Sequence, residues 1–182
     1  MKMPNVQNSL LLMVDMQEKL LPAMHDGENC INRNLLLLQG AAALELPVII
    51  SEQYPQGLGS TIPQLKEACR EEWPVGSKTS FSCFGDEDLS DLIRNLNAET
   101  LIISGVESHV CVCQTALDAV NEGYQVIVAS DAVTSRKPED RCTALKLMAA
   151  NGVQVMSAEA ILFLLLGSAK HPAFKTISKL VR

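Results

Sequence analysis

The sequence predicts an α/β protein, a three-layer α/β/α fold with a central parallel sheet. Short, unbroken apolar runs recur along the chain, with the length and composition of strands buried on both faces. Segments of helical composition separate them, and strands that alternate with helices form a parallel sheet covered on both sides. A chain of 182 residues with 47% hydrophobic content suits one domain, residues 1–182, with a sizeable core.

The elements follow in order. Residues 9–14 (SLLLMV) read as a first buried strand ending in Asp15-Met16-Gln17, and residues 29–45 as a Leu- and Ala-rich helix. Pro47 opens a second strand, VIISEQ, which runs into the Pro- and Gly-containing loop YPQGLGST. Residues 61–78 are less regular, predicting a short helix, then Trp73-Pro74, Gly76 and a loop carrying Lys78. Residues 86–97 predict an amphipathic helix with acids in its first turn, where they complement the helix dipole. Leu101-Ile102-Ile103 is a buried strand broken at Gly105, followed by a helix that ends near Gly123. Residues 124–129 (YQVIVA) are a strand ending at Ser130-Asp131, and Pro138-Glu139-Asp140 starts a helix running to Asn151-Gly152. A strand at 153–156, an apolar helix at 158–166 and a last short helix within 171–182 complete the pattern.

Composition excludes several function classes. A net charge of −6 without a basic run argues against a nucleic-acid surface. No apolar segment approaches the roughly 20 residues needed to span a bilayer. The start MKMPNVQNS lacks the apolar core of a signal peptide, so the expected location is cytoplasmic. The six cysteines are scattered along the chain and are expected to be reduced thiols. Cys111-Val112-Cys113 has no second Cys/His pair at zinc-finger spacing, so no metal is expected.

The stretch TLIISGVESHVCVC concentrates the chemistry. It places Cys111 where a strand ends and a helix begins, and there outward N–H groups and the helix dipole favour thiolate. A nucleophilic cysteine is the expectation. Asp15 stands at the carboxyl end of a central strand, the edge where open α/β sheets carry their sites, although a turn carboxylate would look the same. Lys78, taken alone, reads as a solvated lysine.

Three stretches together, VDMQ at 14–17, the lysine of GSKTSF and GVESHVC at 105–111, resemble the isochorismatase-like cysteine hydrolases. That superfamily includes nicotinamidases and N-carbamoylsarcosine amidases, and the resemblance covers nearly the whole chain, including the Asp131-Ala132 step. It implies a Rossmann-type topology and a catalytic set of Cys111 as nucleophile, Asp15 as general base and Lys78 as the cation between them. It also implies a cis peptide at Val106–Glu107 that aims the N–H groups of Glu107 and Cys111 into an oxyanion hole. The reaction implied is hydrolysis of a small amide, carbamoyl compound or ester through a thioester-type intermediate.

Two departures narrow this reading. The metal-binding Asp-x-His…His set of nicotinamidases has no counterpart in SEQYPQGLGST, so neither catalytic metal nor cofactor is expected. Siderophore-pathway isochorismatases lack the nucleophilic cysteine, so Cys111 favours carbon–nitrogen or ester cleavage. Gln17, Gln53, Tyr54 and Phe81, with Trp73, are candidate pocket residues. His109 reads as a turn residue rather than a base and Cys113 as a packing thiol, while Arg136 and Lys137 read as a solvated face rather than a site for an anionic substrate. The leucine-rich segments at 35–38 and 162–166 read as core or subunit interface and suggest a homo-oligomer, and the expected partner otherwise is a small-molecule substrate. Alternatives of other classes are a non-catalytic interaction subunit and a redox-responsive thiol protein with Cys113 or Cys142 as partner.

Overall fold

The computed structural model describes residues 3–182. Six strands form one parallel sheet in the order β3-β2-β1-β4-β5-β6. They are β1 (Ser9–Val14), β2 (Val48–Gln53), β3 (Val75–Lys78), β4 (Thr100–Val106), β5 (Gln125–Thr134) and β6 (Gln154–Met156). The chain winds outward from β1 to β3, returns to the centre at β4, and winds out again to β6. The crevice between β1 and β4 is therefore the topological switch point, where doubly wound sheets place their ligands.

Strand alternation sorts the core into two layers. Leu11 and Met13 of β1 face a cluster built with α1 (Gly27–Leu44), α7 (Ala158–Leu166) and α8 (Phe174–Leu180). Leu10, Leu12 and Val14 face the opposite cluster, built with α4 (Glu87–Asn95), α5 (Cys113–Asn121) and α6 (Pro138–Ala150). Every residue of β1 and β4 is buried, as a central parallel strand requires. Two single-turn helices, α2 (Pro55–Leu58) and α3 (Pro63–Lys66), lie in the connection between β2 and β3. Asp86 caps α4 by accepting a hydrogen bond from the Leu89 N–H at 3.2 Å, and Glu87 and Asp88 occupy the first turn.

The structure revises three sequence expectations. Lys78 ends a short edge strand, β3, rather than lying in a loop; Gln53 of β2 pairs with it in register. The central strand does not break at Gly105 but continues through Val106. Gly105 is needed there, with φ +106° and an added Cβ only 1.9 Å from the Val14 carbonyl oxygen, so only glycine lets β1 and β4 approach this closely. β5 is also longer than predicted, because a register shift lets it pass Ser130-Asp131 and rejoin β4 at Gly105↔Val133. Asp131 secures this detour by accepting from the Ala158 N–H at 2.7 Å. Among the described residues no helix is long and apolar enough to cross a membrane.

Candidate active site

Three segments deliver ionisable groups to the switch point. Asp15 immediately follows β1, Lys78 closes β3, and Cys111 lies in a π-helical turn (Ser108–Val112) between β4 and α5. Asp15 adopts φ +54°, a left-handed conformation open to aspartate, which turns its carboxylate under the β2 and β3 ends. The side chains of Asp15 and Lys78 are both completely buried. Lys78 Nζ donates to Asp15 Oδ2 at 2.7 Å and to Gln53 Oε1 at 2.7 Å. The other carboxylate oxygen, Asp15 Oδ1, accepts from the Ser51 hydroxyl at 2.8 Å. Such a buried pair persists because each charge is both neutralised and hydrogen-bonded.

Burial favours loss of the Lys78 proton, but the Asp15 carboxylate opposes this and raises the ammonium pKa above its ordinary value. Lys78 is thus held as a cation. Cys111 is 6% exposed and lies close enough to Asp15 to feel its carboxylate. Burial first, and then the Asp15 carboxylate, push its thiol up to about 12 despite the opposing pull of Lys78. The expectation of a thiolate poised at a helix start is therefore corrected. Cys111 lies inside the π turn, α5 begins two residues later, and desolvation beside a carboxylate outweighs any gain from the helix dipole.

The turn that carries Cys111 is closed and clamped. Its Glu107 carbonyl accepts from the N–H groups of Val110 (3.0 Å) and Val112 (3.2 Å), and the Val106–Glu107 peptide bond is cis. Residues just past β5 hold the turn from outside. The Glu107 carboxylate accepts from the Arg136 N–H and Nε, and His109 Nδ1 lies 3.0 Å from the Ser135 hydroxyl. Arg136 is thus paired with Glu107 rather than merely solvated, while Cys113 is a buried packing thiol on α5.

The proposed pocket residues separate in the structure. Gln17 is wholly buried and unavailable to a ligand, because its carboxamide bonds the Gln53 N–H, the Gln53 carbonyl and the Gly59 carbonyl. It straps the loop after β2 onto the turn after β1. Gln53 belongs to the site as a partner of Lys78, with its amide donating to the Thr79 carbonyl at 2.9 Å. Tyr54 and Phe81 are each 54% exposed. Trp73 sits in the α1-side core, away from Asp15. Among the described residues no group of three or more His, Cys, Asp or Glu is placed to hold a metal ion.

Two residues at the site escaped the sequence reading. Ser51 sits at the end of an apolar run and Cys83 in a polar stretch, so neither forms a motif with Asp15. Cys83 is wholly buried within reach of the Asp15 and Lys78 charges, its N–H donates to the Thr115 hydroxyl, and burial pushes its thiol up to about 11. The signal available was weak: a small polar residue one position past the run VII, at the carboxyl end of the strand next to β1.

The chain has clear relatives. The isochorismatase domain model matches residues 9–160. Isochorismatase domain-containing protein 2 of Xenopus laevis is 37% identical over 175 residues, covering 96% of this chain and 84% of that protein. The solved structure of MAR1 ribonuclease from Caenorhabditis elegans superposes with a TM-score of 0.93 at 38% identity, covering 98% of this chain and 91% of that one. The ycaC gene product of Escherichia coli, described as an octameric hydrolase of unknown specificity, gives a TM-score of 0.91 at 25% identity, covering 97% and 89% of the two chains. Fold and sequence agree: the chain belongs to the isochorismatase family, and its family and fold are those of a hydrolase.

Proposed function

We propose that this protein is a cysteine hydrolase of a small amide, carbamoyl compound or ester, acting on carbon–nitrogen bonds other than peptide bonds in preference to isochorismate. The observation that carries the reading is the buried Asp15–Lys78 pair at 2.7 Å, with the Cys111 thiol close enough to feel the same carboxylate. A thiol held near 12 is neutral at physiological pH, so its attack requires a base that takes the proton in the same step. Asp15 is that base. The Cys111 sulfur bonds to the carbonyl carbon as its proton passes to Asp15, and the oxygen becomes an oxyanion received by the Glu107 and Cys111 N–H groups. Collapse expels the amine or alcohol, which takes the proton from Asp15, and leaves a thioester on Cys111. Water then attacks with Asp15 again as base; the acid departs, and the sulfur recovers its proton. Lys78 stays cationic throughout and balances the negative charge shared by Asp15 and Cys111.

No resident metal or cofactor enters this scheme, in keeping with a loop after β2 that has no histidine. Residues 1–182 form one hydrolase unit, acting in the cytoplasm, where its six free thiols remain reduced. The octameric state of the E. coli neighbour supports a homo-oligomer here as well. RNA cleavage, the activity in the name of the C. elegans neighbour, is less well served by a chain of net charge −6. A panel of small amides, ureas and esters, monitored for ammonia or acid release, tests the proposal. Turnover that survives EDTA and is lost by at least about a thousandfold in Cys111→Ala and in Asp15→Asn supports it. Turnover restored only by zinc, or retained in either variant, overturns it.

A further inference from the structure

We propose that Ser51 is a positioning residue for the general base, and that Cys83 and Thr115 back it from the protein interior. The proposal rests on the assignment of Asp15 as base and adds the group that tunes it. Asp15 has two carboxylate oxygens with different partners. Oδ2 takes the Lys78 ammonium at 2.7 Å, and Oδ1 takes the Ser51 hydroxyl at 2.8 Å. The ammonium alone would leave the carboxylate free to pivot about its bond to Cβ. A second donor on the other oxygen fixes the plane and so fixes the direction in which Asp15 meets the Cys111 thiol.

The Ser51 hydroxyl is itself held. Ser51 is wholly buried, and β2 sets its backbone by pairing in register with Val14, the residue before Asp15. The Asp15 N–H donates to the Ser51 carbonyl at 3.0 Å, so main chain and side chain link the same two residues. Behind Ser51 stands the buried Cys83 thiol, near enough to Ser51 and Thr115 for both hydroxyls to favour its ionised form. The Thr115 hydroxyl also accepts from the Cys83 N–H at 3.0 Å. Thr115, Cys83 and Ser51 therefore form a file of buried polar groups that ends on Asp15. A buried file of this kind can aim a hydroxyl hydrogen in one direction.

The chemical consequence concerns the ionised form of the base. A hydroxyl that donates to a carboxylate stabilises it against protonation. The charged or titratable groups around Asp15 are Lys78 from β3, Cys111 from the π turn and Cys83 from the turn before α4. Lys78 favours the carboxylate by charge, whereas both thiols are neutral near pH 7. Ser51 is then the main adjustable neutral donor on the base.

The test needs no knowledge of the substrate. Iodoacetamide, a small alkylating agent, is used on the full-length protein, and the rate of modification of Cys111 is followed by peptide mapping from acid to neutral pH. The assigned mechanism gives an acid limb, because protonated Asp15 cannot take the thiol proton. Ser51→Ala is expected to move that limb up by about one pH unit, the size of one hydrogen bond to a charged group. Ser51→Thr, which keeps the hydroxyl, is expected to hold the wild-type limb. A merely structural loss would lower the rate without moving the limb. An unmoved limb in Ser51→Ala, or a limb that moves equally in Ser51→Thr, overturns the proposal. Asp15→Asn separates the two levels of inference. A limb that survives in that variant overturns the base assignment together with the role of Ser51. A limb lost in Asp15→Asn but unmoved in Ser51→Ala overturns the role of Ser51 alone.

Discussion

A thiol pushed up to about 12 is a weak nucleophile by itself, and the surroundings of Cys111 account for both that weakness and its remedy. In the proposed mechanism, the carboxylate that opposes thiolate formation in the resting protein is also the group that removes the proton on attack. Lys78 makes the arrangement tolerable, since a buried Asp15 without it would be an uncompensated charge. Lys78→Met is therefore expected to destabilise the protein by about 3–5 kcal/mol, as breaking a buried pair does. Urea unfolding checks this, and a variant as stable as wild type would mean that Asp15 does not depend on its cation. Adding Asp15→Asn to Lys78→Met should recover part of the loss, because the orphaned charge is then gone. At this scale the sequence was informative about the proposed reacting groups and poor about their supports. Asp15, Lys78 and Cys111 stand in distinctive motifs, whereas Ser51 and Cys83 acquire meaning only through the pairing of β2 with β1 and the packing of Cys83 on α5. The thiol pKa was misjudged because local position suggests dipole and N–H effects, while burial and Asp15 arrive from distant parts of the chain.

Elements were legible where hydrophobicity is continuous and obscure where it is interrupted. β1, β2 and α7 coincide with the predicted segments, since each contains a continuous apolar run. β3 was missed because VGSK is a four-residue edge strand, half in solvent, with nothing apolar but Val75. β4 and β5 extend past a glycine and a Ser-Asp pair because neighbouring strands supply the hydrogen-bond partners that local sequence does not advertise. Gly105 is the sharpest instance, a residue that looks like a stop and is instead a point of close approach. Gly105→Ala would drive a methyl group against the Val14 backbone and force a left-handed conformation on alanine. Its expected cost is about 4 kcal/mol or more, with loss of soluble protein. Wild-type yield and melting for this variant would show that β1 and β4 can separate, contrary to the geometry described.

The whole molecule places its chemistry by topology. Outward winding from β1 to β3 and from β4 to β6 leaves the carboxyl ends of β1 and β4 side by side, so Asp15 and the Cys111 turn meet without any long loop. The same burial carries a cost in alkali. Desolvation first of all holds the thiols of Cys30, Cys83 and Cys111 up to about 12, 11 and 12, above the ordinary value of 9.0. Lys78 is raised as well, so all four groups keep protons in the folded state that the unfolded chain releases. The sign is common to them: unfolding free energy falls as pH rises past about 9, with the Lys78 contribution lost above its ordinary value of 10.5. Urea midpoints between about pH 8 and 11 check this, and a flat profile would contradict the burial of these groups.

The central claim, a covalent role for Cys111 assisted by Asp15, is tested most directly by rapid-quench mass spectrometry of the protein turning over an amide or ester. The expected result is an acyl adduct on the peptide that carries Cys111, absent from Cys111→Ala together with turnover itself. Undiminished turnover by Cys111→Ala, with no adduct on the wild-type thiol, would contradict it.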